Sequence, residues 1–124
     1  MEALEIQGTT DTPEIILDKE KSIFSFSGKS MPEDVEEFYR PVIQWIENYA
    51  ASPNTFTKVI FKMKYFNTAS SKMLLDVMEH FADANENGNS VEMEWHYPEI
   101  DEDMLEAGEG YDELVEVPFK FIAY

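Results

Sequence analysis

From Phe56 to Phe66 the chain reads FTKVIFKMKYF, in which β-branched and aromatic residues alternate with more polar ones. That period of two belongs to a long strand with one face buried. A few residues on, Met73, Leu74, Val77, Met78 and Phe81 recur at helical spacing. Val91 to Tyr97, VEMEWHY, then alternates again and places Val91, Met93, Trp95 and Tyr97 on one face. A strand feeding a helix that returns to a strand is a βαβ unit, and its crossover makes a right-handed connection to a parallel neighbour. This one feature confines the chain to an α/β sheet.

The flanking segments extend the pattern. PEIILD (13–18) and SIFSFS (22–27), joined by Lys19-Glu20-Lys21, predict an antiparallel hairpin, with Leu4 to Gln7 as a further edge strand. Gly28 is expected to end the second of these strands. Ser30 and Glu33 have the spacing of a capping box, with Pro32 in the first turn of the helix that follows. Val35, Phe38, Tyr39, Val42, Ile46 and Tyr49 form its apolar stripe, Pro41 predicts a kink within it, and Ser52-Pro53-Asn54 ends it. The second helix is expected to run to about Asn87-Gly88. A short third helix is expected over Asp101 to Ala107, stopped by Gly108 or Gly110. The last strand is expected over Leu114 to Ile122, with Pro118 favouring an edge. The order is β-β-β-α-β-α-β-α-β: one domain, residues 1–124, with a mixed sheet, an N-terminal antiparallel hairpin and helices packed on the sheet.

Charge narrows the partners. The chain has 124 residues and a net charge of −17. Eight of its nine Lys and Arg residues lie at or before Lys72, and Met73 to Phe119 carries fifteen acids and no Lys or Arg. Such a surface opposes nucleic acid, which requires cationic contacts to phosphate, and anionic membranes. It suits solvation or steering toward a basic partner. The chain has no cysteine, which removes disulfides and thiolate metal sites and fits a reducing, cytoplasmic setting. The opening MEALEIQG lacks a basic n-region, and no apolar run approaches a membrane span.

Catalytic and metal patterns fail one by one. Ala69-Ser70-Ser71-Lys72 puts alanine where the nucleophile of S-x-x-K would stand. SGKS (27–30) ends like a phosphate loop, but Ile23 occupies the upstream glycine position. Asp101-Glu102-Asp103 is followed by Leu105 and Glu106, so the calcium loop is absent, and acids there suit a helix start. His80 and His96 are isolated, which makes a poor metal set. Glu94, Asp101 and Glu106 are the acids a small acid/base enzyme would use, but nothing in the sequence pairs them with a nucleophile.

There remains YFNTASSK (65–72), four hydroxyl or amide residues at a strand-to-helix handover. Asn67 or Thr68 is a good N-cap, a role that can explain the segment by itself. A threonine at a helix start is also well placed for phosphorylation, with Lys72 one turn along as a partner for the added charge.

Five blocks carry a resemblance: TPEI (12–15), SGKSMPEDVEEFYRPVIQWI (27–46), YFNTASSK (65–72), EWHYPEIDEDMLEAGE (94–109) and VPFKFI (117–122). In this order they resemble the SiaC family of bacterial regulatory phosphoproteins. The resemblance implies a STAS-like fold, no enzymatic activity and no cofactor. It implies phosphorylation of Thr68 by a kinase of the histidine-kinase-like ATPase type and removal of the phosphate by a PP2C-like phosphatase. It further implies that the unphosphorylated form binds and activates a GGDEF diguanylate cyclase, raising cyclic-di-GMP and favouring biofilm. The expected switch surface is Asn67, Ala69, Ser70, Ser71 and Lys72, joined by Ser30, Met31, Pro32 and Glu33. Against the family's pattern, Ala69 follows the threonine where a second hydroxyl residue is usual, and Met31 replaces an aromatic. The other reading is an acidic protein-binding module without phosphorylation control.

Overall fold

The computed structural model describes residues 1–124. Its strands are β1 (Leu4–Ile6), β2 (Glu14–Asp18), β3 (Ile23–Ser30), β4 (Phe56–Phe66), β5 (Ser90–Tyr97) and β6 (Phe119–Ala123). Three helices, α1 (Val35–Ala51), α2 (Thr68–Ala82) and α3 (Glu102–Leu114), alternate with the last four strands. All six strands form one sheet whose spatial order equals the chain order. The β1–β2 and β2–β3 pairs are antiparallel, and β3–β4, β4–β5 and β5–β6 are parallel. This is the mixed α/β sheet the patterning predicts, with β6 at an edge; the last strand starts at Phe119 instead of Leu114, because α3 carries the chain through Leu114 and Pro118 precedes the ladder.

Each crossover steps one strand onward in the same direction. Right-handed connections repeated that way put all three helices on the same face. Burial agrees. Phe24, Phe26, Val59, Phe61, Met63, Val91, Met93 and Trp95 are buried on the inward face, where they meet Tyr39, Val42, Ile46 and Tyr49 of α1 and Leu74, Val77, Met78 and Phe81 of α2. Aromatic rings hold this layer together: Phe26 stacks on Phe61 at 5.0 Å between centroids and Trp45 on Tyr49 at 5.4 Å. The outward residues are polar or half-exposed, and several are paired. Lys58 meets Glu94 at 3.4 Å, His96 meets Glu94 at 2.8 Å, and Lys120 meets Glu92 at 3.5 Å.

The structure departs from the sequence reading at several boundaries. Ser30 does not cap α1. It stays in β3, paired with Phe66 of β4, and the cap is Asp34, whose Oδ1 accepts a hydrogen bond from the Glu37 amide at 3.1 Å. Gly28 accordingly does not end β3. It sits at φ 98° where the β3–β4 register shifts by one residue, and the strand continues to Ser30. Pro41 lies inside α1, which runs unbroken from Val35 to Ala51, in keeping with an apolar stripe that stays in phase across the proline. The second helix stops at Ala82, short of Asn87 and Gly88, which both take positive φ and build the turn into β5.

The departure at the third helix is instructive. The third helix runs through Gly108 and Gly110 to Leu114. Gly108 is buried because α3 crosses directly over the Trp95 indole, and a β-carbon there would overlap that ring. The glycine therefore serves close packing within the helix instead of ending it. The indole N–H of Trp95 donates to the Met104 carbonyl at 2.9 Å, and Tyr111 packs on the same ring at 5.5 Å. The β-carbon of an alanine at Gly110 would touch nothing within 4 Å. Gly108→Ala should therefore destabilise the fold by about 1–3 kcal/mol through overpacking. Gly110→Ala should stabilise it by up to about 1 kcal/mol through helix propensity. Urea unfolding of the two variants beside the parent checks both signs.

Candidate functional site

The parallel strands β3 and β4 end side by side, and both chains then turn into helices. At this carboxyl end the register pairs Ser30 with Phe66, and the Asn67 amide donates to the Ser30 carbonyl at 3.3 Å. The loop Met31 to Asp34 therefore lies against the Asn67–Lys72 turn, as the sequence reading placed it. The Met31 amide donates to the Asp11 carbonyl at 2.7 Å, which fastens the β1–β2 connection to the same end.

The helix cap and the free hydroxyl are different residues. Asn67 is the N-cap of α2, and its Oδ1 accepts from the Ser70 amide at 2.9 Å. Thr68 is the first helical residue and is exposed, outside the cap. Its hydroxyl is left for other chemistry. The segment thus satisfies the helix start with one side chain and presents a second at the surface.

Ser30 and Ser70, expected on the surface, are fully buried. They belong to a hydroxyl chain under the turn. The Tyr39 phenol bonds the Ser30 hydroxyl at 2.8 Å, and Ser30 donates to the Ser70 hydroxyl at 2.8 Å. A buried polar network is stable only when fully paired, and this one is. It ties β3, α1 and the first turn of α2 together without reaching solvent. Burial pushes the Tyr39 phenol up to about 12, against the lowering effect of its bond to Ser30. A second tie comes from α3, where the Tyr111 hydroxyl donates to the Ser71 carbonyl at 2.8 Å. Burial raises that phenol as well, against its hydrogen bond with Ser71. The sequence places Tyr39 in the α1 stripe but marks neither tyrosine–serine contact, because each tyrosine reaches its serine across the fold.

The surface of this end is therefore Thr68, Ala69 and Lys72, with Glu33 exposed nearby and Met31, Pro32, Asn67 and Ser71 half-buried around them. Ala69 and Lys72 also line a groove of about 510 Å³ between α1 and α2.

The acids weighed for catalysis do not converge. Glu94 lies on the uncovered face of β5. Burial pushes its carboxyl up, but the hydrogen bond with His96 and the Lys58 ammonium outweigh that and hold it below the usual range. Asp101 caps α3, its Oδ1 accepting from the Met104 amide at 2.9 Å. Glu106 is exposed on α3. His80 bonds the Asp76 carbonyl of its own helix at 2.8 Å. No cluster of three or more metal-binding side chains occurs, and no helix is long and apolar enough to cross a membrane.

A sheet covered on one side, with an exposed hydroxyl at a helix start where two parallel strands end, is the build of a small α/β regulatory domain. Comparison with known proteins gives the family. Residues 6–124 match the model of the SiaC family regulatory phosphoproteins, and the chain belongs to that family. An uncharacterised protein of Pseudomonas aeruginosa strain UCBPP-PA14 is 32% identical over 124 residues, which cover all of this chain and 98% of the relative. The crystal structure of apo-SiaC from P. aeruginosa superposes with a TM-score of 0.87 at 31% identity, covering 99% of this chain and 100% of that one. The SiaC chain in the crystal structure of the diguanylate cyclase SiaD with its activator SiaC, also from P. aeruginosa, gives a TM-score of 0.90 at 31% identity, covering 98% and 99%.

Two measurements test the site's construction. Asn67→Ala should cost about 1 kcal/mol in chemical unfolding, while Thr68→Ala should change stability by less than about 0.5 kcal/mol. Tyr39 has the linkage sign of a raised pKa: its contribution is complete below pH 10, the ordinary phenol value, and is lost as pH rises toward 12. Stability should therefore fall by on the order of 2–3 kcal/mol across that window. Tyr39→Phe should flatten that part of the pH profile, with circular dichroism melts at pH 9 to 12 as the readout.

Proposed function

We propose that this chain is a non-enzymatic signalling regulator, working through one domain over residues 1–124 in the cytoplasm and switched by phosphorylation of Thr68. With Thr68 unmodified it binds and activates a GGDEF diguanylate cyclase, raising cyclic-di-GMP and favouring biofilm or aggregation. A cognate kinase of the histidine-kinase-like ATPase type transfers the γ-phosphoryl group of ATP to Thr68 Oγ1. The bond to the β-phosphate oxygen breaks, the Oγ1–P bond forms, ADP leaves and the hydroxyl proton is released. A PP2C-like phosphatase hydrolyses the ester and restores the hydroxyl.

One observation carries this reading: Thr68 is exposed at the start of α2 while its neighbour Asn67 supplies the cap. Addition of phosphate therefore costs the fold no hydrogen bond of the cap. It does change the surface, adding about 1.5 to 2 negative charges in place of a small hydroxyl. A partner packed closely over Thr68 would have to admit that charge into a desolvated contact. Membership of a family of regulatory phosphoproteins supports the switch, and the SiaD–SiaC complex of the P. aeruginosa relative supports a cyclase as the partner.

Phosphopeptide mapping of the protein from its own cells should find phosphate on Thr68, and deletion of the kinase should remove it. Thr68→Ala should keep partner capture and lose its regulation. Thr68→Glu should weaken capture about tenfold. Unphosphorylated Thr68 under every growth condition would return the turn to a plain helix cap.

A further inference from the structure

By its own sequence α3 is a poor helix. It carries six acids, Glu102, Asp103, Glu106, Glu109, Asp112 and Glu113, and no Lys or Arg. Glu106 has like charges three or four residues away on both sides, and so has Glu109, spacings at which helix neighbours repel. Asp112 and Glu113 fall in the last turn, the end of the helix dipole that suits cations. Gly108 and Gly110 are interior, and only proline is a weaker helix former. None of the four ion pairs in the structure involves α3. By contrast, α1 and α2 each carry a basic residue and no glycine.

Tertiary anchors therefore hold α3 in place, and they are few. It buries Met104, Gly108 and Tyr111. Trp95 meets the first two, through its N–H bond to the Met104 carbonyl and its ring against Gly108. A cleft of about 310 Å³ remains between the start of the helix and the end of β4, and Lys64 lines it with Asp101 and Asp103 without pairing with either. The third anchor leads to the site. The Tyr111 hydroxyl donates to the Ser71 carbonyl at 2.8 Å and stands 3.3 Å from the Ser71 hydroxyl. Ser71 is the residue whose amide closes the first turn of α2, on the Asn67 carbonyl at 2.9 Å. Thr68 lies inside that turn.

We propose that α3 is a brace tuned by ionic strength, and that Tyr111 is a positioning residue for phosphoryl transfer from ATP to Thr68 Oγ1. An element with few buried anchors and mutual repulsion opens before the rest of a fold. Closed, α3 grips the first turn of α2 through Ser71 and presents Thr68 in one place. Open, it releases that turn from the side, and the kinase meets a well-presented Thr68 in only part of the population. Its apparent affinity falls by that fraction, while transfer from the docked state is unchanged. Raising salt from about 0.01 M to about 1 M shortens the screening length from about 30 Å to about 3 Å, below the roughly 6 Å between neighbouring charges on a helix, so salt closes the brace. The inference rests on Thr68 as the acceptor, and Tyr111 acts on it through Ser71.

The test is amide hydrogen exchange by NMR on the whole chain at low and high sodium chloride, followed by kinetics with the cognate kinase. At low salt the amides of α3 should exchange faster than those of α1 and α2, and salt should slow them more than it slows α1. The amides of Ser71 and Lys72 should follow α3. Tyr111→Phe, which keeps the ring, should speed exchange at Ser71 and Lys72 about fivefold and end their response to α3, the effect of one lost hydrogen bond. Gly110→Ala should slow exchange in α3, and at Ser71 and Lys72 only where Tyr111 is present. With the kinase, Tyr111→Phe should raise KM for this protein about fivefold and leave kcat unchanged. Protection of α3 equal to that of α2, or exchange at Ser71 and Lys72 indifferent to Tyr111→Phe, would overturn the brace. An unchanged KM, or a fall in kcat alone, would overturn the positioning role. A kinase that leaves Thr68 of the parent unmodified would overturn the acceptor reading and the positioning role together, and the exchange data would still decide the brace.

Discussion

Phe24, Phe26, Val59, Phe61, Met63, Met93 and Trp95 make one continuous apolar face across three parallel strands, and keeping water off it organises the molecule. Three helices are needed to cover that area, and successive right-handed crossovers deliver them all to one side. The other side meets solvent, which is why its strands carry charge and why those charges pair across the ladder. The same arrangement sends the carboxyl ends of β3 and β4 to a common edge. The loop Met31 to Asp34 and the turn Asn67 to Lys72 are neighbours because of it.

The site gains definition from what lies beneath it. Exposed loops hold a geometry only when something fixes their backbone. Here the Tyr39–Ser30–Ser70 chain fixes the first turn of α2 from below, and Tyr111 fixes it from the side. A surface threonine presented this way has a defined position relative to Lys72 and the groove, which a recognition event can use. Burying these hydroxyls is tolerable because each finds a partner; removing one would leave the next unsatisfied in a low-dielectric layer.

Much of this was legible in the sequence. Alternation located β4 and β5, the helical stripe located α1 and α2, and Asn67 and Thr68 stood out by residue type alone. The parts that were not legible share a physical cause: they depend on contacts between segments distant in the chain. Ser30 has the spacing of a cap and becomes a buried strand end, because pairing with Phe66 and bonding to Tyr39 and Ser70 outweigh a local preference that Asp34 satisfies equally well. Gly108 has the composition of a helix stop and becomes a packing notch, because Trp95 lies across it. The groove between α1 and α2 leaves no trace in either helix by itself, since each contributes one wall.

The coincidence of spatial order with chain order bears on synthesis. Every strand after the first pairs with the one made just before it, so the sheet can extend by accretion as the chain leaves the ribosome, with no gap held open for a later segment to enter. The unfinished edge at each stage is the carboxyl-terminal one, and the next helix and strand close over it in turn. β6 arrives last at the far border, in a position where its absence would leave the Ser30–Phe66 end already assembled. The Asn67 cap, the Ser30–Ser70 bond and the α1–α2 groove are thus properties of the first two-thirds of the molecule. The acid-rich α3 comes later and adds the Tyr111 tie that braces the first turn of α2 from the side.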